Sequence, residues 1–472
     1  MHTPPRRTTI VATLGPASSS PEVIRQLIIA GMDVARLNFS HGSYSDHARV
    51  VANLRAISSE LDTPVTILQD LQGPKIRVGQ LPGGEIALKP GEVVALVPEA
   101  EFKNQPNTIP LDYPHAAEEA KPGAQVLLAD GAFELEVVEI AGSALRCRVV
   151  EGGALKSRKG VNFPSLNLRL PAMTEKDKQD LEFGLSQDVD WISLSFVRCG
   201  NDVRELKTLL AAKGARKPVI AKIEKPQAIE RLEEILAEVD GVMVARGDLG
   251  VEMSPEKVPM LQKRIIELCN RQGLPVITAT QMLESMIHEP RPTRAEASDV
   301  ANAIIDGTDA VMLSGETAVG EHPVRAVEMM ARIAREVEPL IEFRNYPPTG
   351  HTDTEAIGEA VHTIAQTVNA RYIVVFTTSG YTARFVAAAR PKALVVAITA
   401  DAQVYHALNL LWGIKPLLVR DQADTFEGLV EVAEATLRQR QLVASGDKIV
   451  VLGGIPARQA RGTNFVKIHT VK

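Results

Sequence analysis

The sequence predicts an α/β protein built on a (β/α)8 barrel, with a small all-β domain inserted into it and a further α/β domain behind it. Three observations carry that prediction. Eight short β-rich runs alternate with helical stretches through the first third and the middle of the chain. Between the third and fourth runs, residues 72–168 change to short alternating segments broken by turns. Near residue 340 the stretch RNYPPTG opens a linker, and a second alternation of helices and strands follows.

The eight runs are TTIVATLGP (8–16), VARLNFS (34–40), VTILQDL (65–71), DWISLSF (190–196), PVIAKIE (218–224), GVMVARGDLG (241–250), PVITATQM (275–282) and AVMLSGE (310–316). Between most of them lie helical stretches such as PEVIRQLIIAG, NDVRELKTLLAAKG and AEASDVANAIIDG. Each closes on a glycine, the usual residue just past a helix C-terminus. A doubly wound sheet is the competing arrangement, but it would not need eight strands. The inserted segment carries the turn signals LPGG, KPGE, KPGA and EGG between alternating runs such as EIALKPGEVVALV and GAFELEVVEI. The last part repeats helical stretches with RYIVVFTT, ALVVAIT, KPLLVR and KIVVLGG. The expected division is a barrel over 1–71 and 169–340, a β-barrel lid over 72–168 and a C-terminal domain over 341–472.

At 472 residues the chain is too long for one core, which fits roughly three domains. The net charge of −6 argues against a broad nucleic-acid footprint, so an anionic ligand would need locally placed cations. Cys147, Cys199 and Cys269 are odd in number and lack zinc or redox spacing, as in a reducing compartment. The N-terminus MHTPPRRTTI has no apolar core of a leader, and no later stretch approaches a membrane span. A cytoplasmic protein is expected, with neither nucleic acid nor membrane as partner.

In a barrel of this kind the reacting groups sit where strands end. Those ends carry Arg36, Asn38 and Ser40; Asp70; Ser195; Lys222 and Glu224; Arg246 and Asp248; Thr278 and Thr280. Strand ends in a core rarely hold so many charges, because an unpaired buried charge costs several kcal/mol. Glu224 and Asp248 end consecutive strands and so face one small volume. Two carboxylates without histidine or thiol suit a hard, oxygen-ligated cation such as Mg2+ or Mn2+. The structural alternative pairs Glu224 with Lys222 or Lys225, and Asp248 with Arg246. Lys222 lies two residues before Glu224 and shares its face. It would stabilise developing charge on a phosphoryl group or enolate, form a Schiff base, or simply close a salt bridge.

The GDLG run at 247–250 would hold a substrate carboxylate through its backbone, with the following helix starting near Ser254 and Pro255. Arg36 suits a bidentate phosphate contact, or a structural salt bridge. Neither a Walker A sequence nor a G-x-G-x-x-G after a strand is present.

The stretches GMDVARLNFSHG, DLQGPKIR, TEKDKQDLEFG, AKIE, VARGDLGVE, ITATQMLESMI and PTRAEASDVANAIIDGTDAVMLSGETAVGEHP occur in order. Together they resemble the pyruvate kinase family, from about residue 6 to the end. The resemblance implies a glycolytic phosphotransferase that moves the phosphoryl group of phosphoenolpyruvate to ADP, giving pyruvate and ATP. It implies a barrel, a capping β domain and a C-terminal effector domain, in a homotetramer. By the same resemblance Glu224 and Asp248 hold the divalent cation (Mg2+ or Mn2+), and Lys222 stabilises the transferring phosphoryl group. Thr280 stands where the enolate is protonated, and Arg36, Gly247, Asp248 and Thr280 bind the substrate. Asn38, His41, Arg77 and Lys159 lie on the nucleotide side, and Asp130 in LADGAFELEV faces the cleft from the lid.

One stretch departs from the common pattern. Potassium-dependent members carry D-T-K-G-P-E-I-R, where this chain has D-L-Q-G-P-K-I-R. In the potassium-dependent type the ion is held by the positions of Asn38, Ser40 and Asp70 and a carbonyl at Leu71. The potassium-independent members resemble this chain at these positions. The ammonium of Lys75, oriented by Asn38, Ser40 and Asp70, is therefore expected to replace K+, against the plainer reading of a solvated lysine on a bend.

In the last domain, VVFTTSGYTARFVAAARP (374–391) reads as strand, polar loop and helix. Thr377, Thr378, Ser379, Gly380 and Thr382 suit an anion at the helix start, and GGIPARQARGTN adds Arg458 and Arg461. In this family such a loop often takes a phosphorylated effector; a helix cap beside a solvated loop is the alternative. Two other functions compete with the main reading: an aldolase-type lyase acting on an enolate, and a catalytically dead sensor of phosphometabolites. The first has no use for Arg77, Lys159 and Asp130, and the second none for Lys222, Glu224, Asp248 and Thr280.

Overall fold

The computed structural model describes residues 6–164, 166, 168–342, 344–346, 352–420, 423–455 and 462–472. Eight parallel strands close a barrel: Thr9–Leu14, Val34–Asn38, Thr66–Asp70, Trp191–Leu194, Val219–Ile223, Gly241–Ala245, Val276–Ala279 and Ala310–Leu313. Each is buried on both faces, which explains why its sequence reads as a nearly continuous apolar run.

Alternation sorts the strand residues into two cores. Ile10, Ala12, Ile67, Ile192, Val219, Ala221, Val242 and Val244 belong to the core beneath the outer helices. Val11, Val34, Leu68, Trp191, Ile220, Met243, Ile277 and Met312 fill the barrel interior. Moving two residues at a time up the interior face changes its chemistry: Val34 to Arg36, Leu68 to Asp70, Trp191 to Ser193 and Ser195, Ile220 to Lys222 and Glu224. The interior is apolar at its floor and charged at its mouth. Leu410 and Ala407, from the C-terminal domain, pack against the floor.

The inserted segment forms a six-stranded sheet in the order Val161–Asn162, Gln125–Leu128, Phe133–Ala141, Ala144–Glu151, Val93–Pro98 and Thr108–Leu111. Glu85–Leu88 and Gly153–Lys156 pair separately. Its own core includes Val78, Leu96, Ile109, Val126, Leu135, Leu145 and Phe163. One departure from an all-β segment is the single helical turn Ala116–Glu119, whose Ala116 and Ala117 are buried.

The C-terminal sheet runs Ile414–Leu418, Leu394–Thr399, Tyr372–Phe376, Lys448–Gly453, Phe465–Thr470. The four strands expected from sequence are parallel, and the unexpected fifth, Phe465–Thr470, is antiparallel at the edge. Its residues alternate in part between apolar and polar, with Ile468 and Thr470 exposed, so it lacks the apolar run that marks the others. A buried ion pair, Arg390 to Asp309 at 2.9 Å, fastens this domain to the barrel.

The helix expected from Ser254 and Pro255 starts there, and a further short helix precedes it. A short helix, Arg246–Glu252, leaves the sixth strand directly; a turn at Pro255–Lys257 and the helix Val258–Arg271 follow. Asp248 in the first turn favours the positive end of the short helix, which helps GDLG fold as helix and not loop.

Candidate active site

Between the lid and the barrel mouth lies a cavity of about 850 Å3, lined by Lys75, Asp130, Arg246, Gly247, Asp248 and Gln281 among others. Below it, the interior face carries a buried charge cluster. Lys222 Nζ donates to Ser195 Oγ at 2.7 Å, and lies 3.0 Å from Glu224 Oε1 and 3.5 Å from Asp70 Oδ1. Asp70 also takes the Arg36 guanidinium on Oδ2 and the Ser193 hydroxyl on Oδ1 at 2.6 Å. Arg36 reaches Thr13 Oγ1 as well, at 2.9 Å. Thus its salt bridge to Asp70 exists, and its guanidinium is taken up by Asp70 and Thr13.

Burial opposes the Lys222 charge, but the Asp70 and Glu224 carboxylates outweigh it and raise its pKa. Burial likewise disfavours ionised Asp70, and Lys222 with Arg36 overcome this to hold its pKa down. Glu224 differs. Burial raises its pKa, the Lys222 charge offsets only part, and the nearby Asp248 raises it further. The two carboxylates therefore sense one another, as groups facing one volume should.

Of the salt bridges that could absorb these carboxylates, the one from Lys222 to Glu224 is made, and the other two are made elsewhere. Lys225 pairs with Glu252, and Arg246 pairs with Asp299 at 2.7 Å. Glu224 Oε2 accepts the Phe196 N–H at 2.7 Å, while its fully buried Oε1 has no aligned hydrogen bond. Asp248 meets only a distant ammonium, Lys75 Nζ at 3.5 Å, among the contacts described for its carboxylate. Among the described residues no cluster of three or more His, Cys, Asp or Glu gathers as a metal cage. A pair of carboxylates of this kind, with one oxygen held only by an ammonium, fits a small hard cation that completes its shell with water and substrate oxygens.

Local backbone conformation holds the rim. Thr280 has φ of 69° and Gln281 of 53°, an uncommon region for any residue and an outlier for a β-branched one. The Thr280 hydroxyl accepts the Gly247 N–H at 2.7 Å and donates to Ala279 O at 2.6 Å. Arg246 binds the carbonyls of Ala279 and Thr280 at 3.2 and 2.7 Å, which fixes this turn. The Gly247 N–H expected to face a ligand is therefore already engaged. At the exit of the third strand, Gly73 has φ of 73°, and a side chain there would strike Ser195 and Phe196. Its N–H donates to Asp177 Oδ1 at 3.0 Å.

Lys75 does not join the residues expected around it. Its described partners are Asp130 Oδ1 at 3.2 Å and Asp248 Oδ1 at 3.5 Å, so it stands between the lid and the barrel. Asn38 and Ser40 instead close a turn on each other, with Asn38 Oδ1 accepting the Ser40 N–H at 3.1 Å, and Asp70 is satisfied by Arg36, Lys222 and Ser193. The seat imagined from Asn38, Ser40 and Asp70 is replaced by one from two acids on opposite walls. Burial opposes the Lys75 charge, and Asp248 and Asp130 together raise its pKa, so it is an ammonium.

The chain matches the family profile "Pyruvate kinase, barrel domain" over residues 5–327 and "Pyruvate kinase, alpha/beta domain" over 355–469. The chain belongs to the pyruvate kinase family. It is 49% identical to "Pyruvate kinase 2" of Synechocystis sp., covering 99% of this chain and 80% of that one. It is 44% identical to "Pyruvate kinase" of Agrobacterium vitis, covering 98% and 96%. A crystal structure titled as a pyruvate kinase from Cryptosporidium parvum superposes with a TM-score of 0.93 at 36% identity, over 99% and 96% of the two chains. The chain is thus an enzyme of the pyruvate kinase kind, a phosphotransferase.

Within this pyruvate kinase the remaining expected residues are dispersed. Arg77 and Lys159 lie at the base of the lid, where Arg77 bridges to Gly160 and the Lys159 carbonyl accepts the Val78 N–H. His41 is exposed, beyond the second strand. Thr278 faces the outer helices and bonds Thr308, so it is not a site residue. In the C-terminal loop Thr377 accepts the Gly380 N–H and Thr382 bonds Thr463, while Thr378 is exposed. Ser379 and Gly380 line a cavity of about 600 Å3 against the barrel floor, with Tyr381, Arg384, Lys207 and Arg216. Arg458 and Arg461 lie outside the described residues. Sequence reasoning missed Ser193 and Asp177. Ser193 was findable, since it shares the face of Ser195; Asp177 was visible only as the fourth residue of the T-x-x-D cap before its helix.

Proposed function

We propose that this enzyme transfers the phosphoryl group of phosphoenolpyruvate to ADP, and that the enolate left behind gains a proton at its terminal carbon to become pyruvate. The observation that carries the reading is the buried Lys222 ammonium, bonded to Ser195 and flanked by Glu224 and Asp70 at the barrel mouth. Phosphoryl transfer asks for positioning and charge stabilisation more than for covalent chemistry. Lys222 and Arg36 would meet the phosphoryl oxygens, and Arg36 would exchange its hold on Asp70 for them. Gly247, Asp248 and Thr280 would surround the rest of the substrate, with the Thr280 hydroxyl on the protonated face.

Glu224 and Asp248 would hold Mg2+ or Mn2+, which when bound would neutralise substrate charge. Asn38 and His41 from the barrel, with Arg77 and Lys159 from the lid, would serve the nucleotide, and closure of the lid would keep water from the phosphoryl group. Lys75 would stand in for K+, making the enzyme independent of that ion; its ammonium supplies a fixed monovalent charge beside Asp248. A phosphorylated metabolite bound near Thr377, Thr378, Ser379, Gly380 and Thr382, with Arg458 and Arg461, would regulate it allosterically in a cytoplasmic homotetramer. Consistent with that, no helix among the described residues is long and apolar enough to cross a membrane.

The test is pyruvate formation from phosphoenolpyruvate, ADP and Mg2+, with and without K+. Equal, substantial rates support both claims. A rate seen only with K+ keeps the reaction and removes the role of Lys75. No turnover, even with sugar phosphates or AMP added, would sink the reaction itself.

A further inference from the structure

A second buried ionic cluster lies beside the candidate metal site without touching the space assigned to substrate. Glu252 is 3% exposed, and its Oε1 accepts from both Lys225 Nζ and Asn162 Nδ2. The three residues come from three pieces of structure. Lys225 directly follows Glu224 at the exit of the fifth strand. Glu252 ends the short helix that carries Asp248 and lies four residues on, on the same side of that helix. Asn162 belongs to the lid strand Val161–Asn162, which pairs with Gln125–Leu128, the strand just before Asp130. The neighbouring Val161 N–H donates to Ile76 O, one residue past Lys75.

Lys225 also lies 5.6 Å over the Phe196 ring, and the Phe196 N–H is the donor to Glu224 Oε2. Phe196 keeps a left-handed φ of 56°, an uncommon conformation that its surroundings must enforce. One carboxylate thus ties together the segment after Glu224, the helix of Asp248 and the returning strand of the lid. A purely structural ion pair would need only two of these partners. Asn162 leaves its Oδ1 buried without a hydrogen bond, a cost accepted in order to aim its NH2 at Glu252.

We infer that Glu252 is a positioning residue: with Lys225 and Asn162 it forms a hinge clamp that sets the spacing of Glu224 and Asp248 according to the position of the lid. The inference rests on the assignment of those two carboxylates to a divalent cation.

The decisive variant is Asn162→Ala, which touches the lid arm alone, with Asn162→Ser as a milder second. Two quantities are read on the full-length enzyme without substrate: Mn2+ affinity, by electron paramagnetic resonance titration, and amide exchange in residues 223–226 and 246–253. The expected result is an affinity loss of about 10-fold and faster exchange in both barrel segments, although Asn162 meets neither carboxylate. Lys225→Met should reproduce both effects, and Lys225→Arg should restore most of the affinity. Mn2+ affinity within twofold of wild type together with unchanged exchange in those segments would overturn the clamp. If wild-type enzyme bound no Mn2+, the metal assignment would fail and with it the clamp's purpose; unaltered metal binding and exchange in the variants remove the clamp alone.

Discussion

Lys75 Nζ stands 3.2 Å from Asp130 Oδ1 on the lid and 3.5 Å from Asp248 Oδ1 on the barrel, so one ammonium bridges the two walls of the active-site cleft. Its charge is held by acids on both sides and raised in pKa against the pull of burial. A lysine on a solvated bend would show neither feature. The same geometry places a positive charge beside Asp248, where the proposed metal and substrate phosphate would share space.

Reversing that charge should therefore be costly. Lys75→Glu is expected to lower turnover in K+-free buffer by about 10- to 100-fold, with part of the loss recovered on adding K+. Rates measured in both buffers check this. A variant as active as wild type without K+ would remove Lys75 from the charge balance.

Lys222→Met tests the buried cluster. It would leave Asp70 with Arg36 alone and Glu224 without its 3.0 Å cation, and take away the donor nearest the proposed phosphoryl position. We expect kcat to fall about 10²- to 10³-fold with a much smaller change in KM, since the interaction strengthens only in the transition state. Steady-state kinetics decide it; a loss confined to KM would make Lys222 a ground-state binding group.

The strained turn at Thr280 yields an opposition between stability and activity. A non-glycine residue held at positive φ costs about 1–3 kcal/mol, whereas the hydroxyl makes two hydrogen bonds worth about 1 kcal/mol each. Thr280→Gly should then unfold at a denaturant midpoint close to wild type while losing turnover by at least about 10-fold. Thr280→Ser should retain most of the activity. If Thr280→Gly kept full activity, the hydroxyl would have no part in the reaction.

At the barrel floor, acid stability turns on His406. Burial, assisted by the Arg55 charge, pushes its pKa down to about 4 from an ordinary value near 6.5. Between those values the unfolded chain binds a proton that the folded one refuses, so stability falls as pH drops from about 6.5 to 4. Asp190 opposes this: burial lifts it to about 6, so the folded state holds the extra proton and gains stability on acidification over much of the same range. His406→Asn should remove the first effect and leave the second. Denaturant midpoints at about pH 4.5, 5.5 and 7 should fall less on acidification in the variant than in wild type, and an unchanged dependence would rule His406 out as the cause.

Much of this molecule was legible along the chain because its signals are local. The eight barrel strands are continuous apolar runs separated by glycine-closed helices, and Lys222 with Glu224, two residues apart, had to share a face. Less legible were features whose signal is weak or distributed. The edge strand Phe465–Thr470 alternates with polar residues and needs its partner Lys448–Gly453 to exist as a strand. The short helix Arg246–Glu252 depends on packing by Arg246 against Asp299 and the Thr280 turn, contacts more than thirty residues away in sequence.

Residue type and spacing alone determined which chemistry the mouth of the barrel can hold: two carboxylates, a lysine and an arginine at strand ends, with no thiol or histidine among them. Only the tertiary structure decided who pairs with whom. Lys225 goes to Glu252 and Arg246 to Asp299, which leaves Glu224 to Lys222, and Lys75 goes to Asp130 and Asp248 in place of Asn38, Ser40 and Asp70. The reason is that ion pairing falls off within a few ångströms and depends on burial. Neither distance nor burial exists until the lid, the fifth and sixth strands and their helices are folded against one another.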